Sequence, residues 1–262
     1  MASVKEIIVS TLPEYLEAIA ELAGDSATQT LWYRGSRGAD YELVPGLYRS
    51  SKSTIDLLRD EDEMLAQFRA RSEPLSGADM TSSWAALFVM QHYGVPTRLL
   101  DWSENAFLAL YFAVSLPDPK KDNEDAAVWV LDPAAWNSKS FPGMKSPGRA
   151  LHADHESLEP YGPGRPLDNM ATESAAIFGR YNNPRIAAQR GVFTVFGRDK
   201  VPLEKMLDER GYPETSLVRL RLPKSNLATL SEQVRILGFR ESMVYPDLVG
   251  LAKEIAAERN LS

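Results

Sequence analysis

Apolar residues recur with helical spacing over 11–22, TLPEYLEAIAEL. Leu16, Ile19 and Leu22 share a stripe, Thr11 is placed to cap it, and Pro13 suits the first turn. The same period predicts a long helix over roughly 53–72, with Ile55, Leu58, Leu65 and Phe68 on one side. Over 82–94 apolar side chains cover nearly every face and Gly94 closes the run, which predicts a buried helix. AFLALYFAVS, beginning at Ala106, is apolar all round and should also be central; Ser103 can cap it, with Glu104 and Asn105 in its first turn.

The remaining pattern reads as strands and loops. TLWYRG (30–35) is short, β-branched and aromatic. AAVWVLD (126–132) is a continuous apolar run that predicts burial on both faces. RGVFTVFG (190–197) and SLVRLRLP (216–223) alternate like strands, and helices are predicted near 203–210, 224–237 and 247–258. Residues 137–184, rich in Gly, Pro and Asn, read as one long irregular loop region of the kind that carries function. No internal repeat or interdomain linker interrupts 1–262, so the pattern predicts a single α/β domain with that loop region embedded.

Composition narrows the classes. The chain of 262 residues is 44% hydrophobic and 25% charged, an ordinary globular balance with no stretch long enough to span a membrane. MASVKEIIVS lacks the basic flank and apolar core of a secretory signal, and a chain with no cysteines excludes disulfides and thiolate chemistry. The expectation is a cytoplasmic protein. A net charge of −7 opposes a broad grip on nucleic acid. A local basic groove could still form from Arg34, Arg37, Arg49 and Arg98.

Polar residues gather around two segments. In Trp32-Tyr33-Arg34-Gly35, an arginine on a predicted strand offers a planar fork to phosphate or carboxylate, or bridges loops through their carbonyls. Gly35 would let a ligand approach the backbone. In HYGVPTRLLDWS (92–103), Pro96 forces a turn and Asp101 lies just ahead of the next helix. Asp101 either belongs to a site or pairs with Arg98 or Arg34 to fix the turn. Trp102 either stacks on a flat ring or plugs the core. His92 reads as a helical histidine bonded to a backbone carbonyl. HADHE (152–156) would need helical geometry and a further ligand to hold metal. Phosphate-binding GxxxxGK[ST], dinucleotide-binding GxGxxG and nucleophilic GxSxG motifs are absent.

Taken together, LWYRGSRGADYELVPGLYR, QHYGVPTRLLDWSENAFLALYFA, QRGVFTVFG and LGFRESMVYPDLVGLAKEI resemble the FRG domain, with Tyr33 where that family's signature has phenylalanine. These segments span about 30–256. A weaker similarity links them to ADP-ribosyltransferases of the arginine–serine–glutamate type. Arg34 matches the strand arginine that holds NAD, and Ala109, Phe112 and Ala113 match a helix pattern. Leu100-Asp101-Trp102 falls where Ser-Thr-Ser would sit, and Gln189 where the glutamate would be. This resemblance implies a split mixed sheet flanked by helices, built on segments near 30–35, 126–132, 190–197 and 215–222. It implies NAD as substrate, Arg34, Asp101 and Gln189 as catalytic residues, and Tyr33, Arg34, Gly35, Thr97 and Trp102 as NAD contacts. Partners would be an RNA or protein acceptor and an antitoxin protein, with no membrane, as for a bacterial toxin or anti-phage effector. Glutamine brings no charge to the ribose, so the other reading is an inactive binding module for a nucleotide, nucleic acid or protein.

Overall fold

A computed structural model describes residues 4–72, 80–115, 124–144, 150–179 and 188–259. Among them, eight strands form one mixed sheet in the order β1-β8-β4-β2-β3-β7-β6-β5. The strands are β1 (Lys5–Ile8), β2 (Trp32–Ser36), β3 (Leu99–Ser103), β4 (Ala126–Leu131), β5 (Leu151–His152), β6 (Ser174–Phe178), β7 (Gly191–Phe196) and β8 (Leu217–Leu222). The outermost pairs, β1 with β8 and β5 with β6, are parallel; the inner pairs are antiparallel.

Helices cover both faces. They are α1 (Leu12–Asp25), α2 (Thr54–Ser72), α3 (Ser83–His92), α4 (Ala106–Val114), α5 (Pro133–Ser140), α6 (Leu203–Arg210), α7 (Lys224–Ile236), α8 (Glu241–Val244) and α9 (Leu248–Glu258). On one face α1, α4 and α7 pack over Tyr33, Val128, Val130 and Leu220. Beside them α3 packs over Leu99, Phe193 and Val195 through Leu87 and Phe88. On the other face Trp32, Leu100, Trp102, Trp129 and Leu131 meet α6 and the 43–57 segment. Successive strand residues point to opposite faces, so Tyr33 and Ser103 share the α4 face while Trp32 and Trp102 share the other.

The helices lie where the pattern puts them, and Thr11 caps α1 through Glu14 N, but the buried faces are shifted: Leu16 and Ile55 are exposed, while Tyr15, Ala18 and Leu22 on α1 and Leu57, Glu61 and Leu65 on α2 are buried. Two more expectations change. Asn105 caps α4, accepting from the N–H groups of Phe107 and Leu108; Ser103 ends β3 instead, and its hydroxyl accepts from Asn105 N. The 137–184 region is not one irregular loop. It holds the end of α5, the short β5, turns of 3-10 helix, and the wholly ladder-bonded β6; 145–149 and 180–184 lie outside the described residues. The five residues SAAIF carry no period that separates a strand from a buried turn.

Candidate functional site

The sheet opens between β2 and β3. Their register reduces to Tyr33↔Ser103, although β2 pairs with β4 along its whole length and β3 likewise with β7. The two halves of the sheet thus join through one residue pair at its centre, and the eight strands still form a single sheet. Above it lies a cleft of about 430 Å³, with α3 on one side and α4 on the other. Phe88, Gln91 and His92 come from α3, Leu108 and Phe112 from α4, and Asp101, Ser103, Gly191 and Phe193 from the floor strands.

Gly35 explains how α4 reaches the floor. A β-carbon there would lie 2.0 Å from the carbonyl oxygen of Ala109 and 2.7 Å from the nitrogen of Ala113. Glycine on β2 and alanines one turn apart on α4 are thus two sides of one contact. The reading of Gly35 as an opening for ligand is corrected: although it borders the cleft, the space beside it is filled by helix backbone.

Arg34 follows Tyr33 and, by alternation, belongs to the opposite face, with Trp32 and Trp129. Its guanidinium turns into the split, and Nη1 donates to the Asp101 carbonyl oxygen at 2.7 Å. The arginine takes the place a neighbouring strand N–H would hold, on one carbonyl of β3, not between the carbonyls of two loops. It also lines the cleft together with Arg37 and Arg49. Burial lowers its pKa; the Asp101 charge acts against that, and the Arg49 charge adds to it.

Asp101 is exposed on β3, not at a helix start. Its carboxylate accepts from Gln91 Nε2 at 2.6 Å, while the Thr97 hydroxyl donates to Gln91 Oε1 at 2.6 Å and accepts from Leu99 N at 3.1 Å. Thr97 is fully buried and does not line the cleft. Its expected contact with NAD is replaced by this relay, which fixes which end of the Gln91 amide faces Asp101. Gln189 does border the cleft. Its carbonyl accepts from the Ser103 hydroxyl at 2.6 Å, and its Nε2 donates to the Val244 carbonyl at 3.0 Å. Arg190, at φ 44°, turns the chain from there into β7.

Trp102 borders the cleft, while its ring is buried in the core of the opposite face and its Nε1 donates to Thr194 Oγ1 at 3.1 Å. Tyr33 is buried too, and burial raises the pKa of its phenol, which stays a neutral donor and acceptor. The aromatic residues that border the cleft are Tyr33, Tyr41, Phe88, His92, Trp102, Phe112 and Phe193. His92 lies edge-on to Tyr93.

Arg98 leaves the expected basic groove. Both it and Glu61 are 1% exposed, and they pair at 2.7 Å. Arg98 N also donates to Glu61 Oε1, Nη1 to Phe196 O and Nη2 to Tyr161 O. Burial pushes this guanidinium down, and Glu61, with Tyr48 and Asp62, more than reverses the shift. Glu61 sits in an acidic run, RDEDE, that reads from sequence as a solvated helix face. Gln91 had a signal: it is the first polar residue to end an otherwise apolar helix.

Among the described residues no group of three or more His, Cys, Asp or Glu side chains could hold a metal ion, and no helix is long and apolar enough to cross a membrane. None of the described residues between 137 and 179 lines the cleft.

Neither curated proteins nor solved structures give a match to this chain. Residues 29–123 match the family model of the FRG domain. That stretch holds β2, α2, α3, β3 and α4, and so both lips of the split; QRGVFTVFG and LGFRESMVYPDLVG fall outside it.

Proposed function

From a chain that carries an FRG domain over residues 29–123, we infer that the cleft takes NAD as substrate and that the protein transfers ADP-ribose to an RNA or protein acceptor, as a toxin or anti-phage defence effector would. One observation carries this reading. Arg34 stands half-buried at the cleft beside the Asp101 carbonyl, with its pKa lowered by burial and by the like charge of Arg49. An anion such as a diphosphate would relieve both, and a guanidinium fork suits it. The volume, about 430 Å³, is in the usual ligand range of ~300–1,000 Å³. Phe88 and Phe193, with ring centroids 5.0 Å apart, give a flat base an apolar wall.

NAD supplies a glycosidic bond whose electron pair leaves with nicotinamide, while an acceptor lone pair forms the new bond to the same ribose carbon. Asp101 is then placed to accept a ribose hydroxyl and to stabilise positive charge growing on the sugar. Thr97 and Gln91 hold that carboxylate in position. The acceptor's proton passes to Asp101 or to water. Gln189 contributes hydrogen bonds without charge.

Gln189 favours a second reading, ligand binding without turnover, because its amide is engaged with Val244. Incubation with labelled NAD separates the two. Released nicotinamide supports transfer or hydrolysis, and saturable NAD binding without release supports a binding module. No binding and no release would reject both.

A further inference from the structure

Two arginines that border the cleft have no carboxylate to neutralise them. Arg37 makes no hydrogen bond or ion pair with a described residue, and Arg49 donates only its Nε, to the Val44 carbonyl at 3.1 Å. The carboxylates beside them in sequence are turned to other cations. Asp40 pairs with Arg221 at 2.8 Å, and Glu42 with Lys205 at 2.6 Å. In a chain of net charge −7, two unmatched guanidinium groups at the same cleft as Arg34 point to an anion supplied from outside. Tyr41, between them in sequence, borders the same cleft and is 43% exposed. Its ring is seated over Gly38, where a β-carbon would lie 2.4 Å from the Tyr41 Cε1. The turn beneath is pinned. The Gly38 carbonyl accepts from Tyr41 N at 3.2 Å and from Ser36 Oγ at 2.8 Å, and Ala39 N donates to the Asp125 carbonyl at 2.7 Å.

We propose that Arg37, Tyr41 and Arg49 form a subsite for single-stranded nucleic acid, with one base stacked on Tyr41 and neighbouring phosphates on the two arginines. Every unpaired base offers a π-face to such a ring, and a guanidinium fork matches a phosphate. An acidic peptide would use the cations and leave the ring idle. The inference deepens the transfer reading by making the acceptor a strand, not a protein, and rests on that reading for the chemistry alone. Arg34, bonded to β3 on the cleft floor, is left to the dinucleotide. The subsite belongs to the loop that follows β2. Neutralising two phosphates of a single strand gives a slope of ~−1.4 for the logarithm of affinity against that of salt.

The test is fluorescence anisotropy of a short, labelled RNA strand of mixed sequence with the whole chain, without NAD. Arg37→Gln and Tyr41→Leu should each weaken binding roughly tenfold while melting like the parent. Arg37→Gln should also make the salt slope shallower by about 0.7. Arg235→Gln, exposed on α7, should change nothing. An abasic strand should bind the parent as the intact strand binds Tyr41→Leu. The same sequence as DNA separates the sources: equal binding means that base and phosphate suffice, preference for RNA means that the 2′-hydroxyl is read as well, and either supports the subsite. Binding that survives Tyr41→Leu, that inorganic polyphosphate or a duplex matches, that Arg235→Gln weakens equally, or that saturating NAD displaces, overturns it. Strand binding without nicotinamide release leaves the subsite standing and rejects transfer. Release without strand binding rejects the subsite and leaves a protein acceptor.

Discussion

Gly35 and Ala109 touch backbone to backbone: the space for a side chain on β2 is occupied by the Ala109 carbonyl of α4. Gly35→Ala must push the helix away, because a carbonyl in a buried helix cannot rotate aside. Overpacking of this kind costs about 1–3 kcal/mol. The expected outcome is a lower urea midpoint and a widened cleft, with weaker NAD binding by calorimetry. Unchanged stability would show that α4 slides freely on β2.

Arg34 separates site from scaffold. Arg34→Ala removes one bond to the Asp101 carbonyl at the edge of an open cleft, where water can replace it, so the loss should stay near ~1 kcal/mol. NAD turnover should vanish. Arg34→Lys keeps the charge without the fork and should weaken NAD binding roughly tenfold, about 1.4 kcal/mol. Melting curves beside nicotinamide release check both. A large fall in melting temperature with retained turnover would make Arg34 a strut.

Glu61 and Arg98 form the opposite case. Removing one partner leaves the other charge stranded, at a cost of about 3–5 kcal/mol. Glu61→Gln should therefore destabilise the whole sheet, seen in denaturant midpoints, since Arg98 also binds carbonyls of Phe196 and Tyr161.

Trp102→Phe keeps most of the buried ring and loses the bond to Thr194. Stability should fall by roughly 1 kcal/mol, with NAD binding unaltered. Loss of binding at full stability would restore Trp102 to the ligand site.

Acid should loosen the β4–β8 edge through Asp125. The Lys224 backbone N–H, then Arg221, hold its carboxyl below the usual carboxylate range. A depressed pKa adds stability above the unfolded value and loses it as pH falls through the folded one. Asp125→Asn should flatten the acid limb of stability against pH, measured by urea midpoints.

Helix positions were legible in the sequence because burial imposes a period; α6 lies at 203–210, where the pattern puts it. Arg34, Asp101 and Gln189 do meet around one cleft. Thr97 and Trp102 misled for different reasons: Thr97 precedes β3, which begins at Leu99 inside the segment read as a turn, and Trp102, one residue from Asp101, turns to the opposite face of the strand. Glu61 was hidden because its partner is far along the chain, and an acidic run on a helix is otherwise solvated.

The pairing of Lys5 with Val218 bears on how the protein is made. β1 leaves the ribosome long before its parallel partner β8 is synthesised. At ~5–20 residues per second the wait is on the order of ten to forty seconds. Through that interval β1 carries an unpaired edge, and closure of so long a loop contributes little to an early nucleus. The edge strand should join last, so pulse-labelled hydrogen exchange during refolding should protect β2 and β4 amides before those of β1.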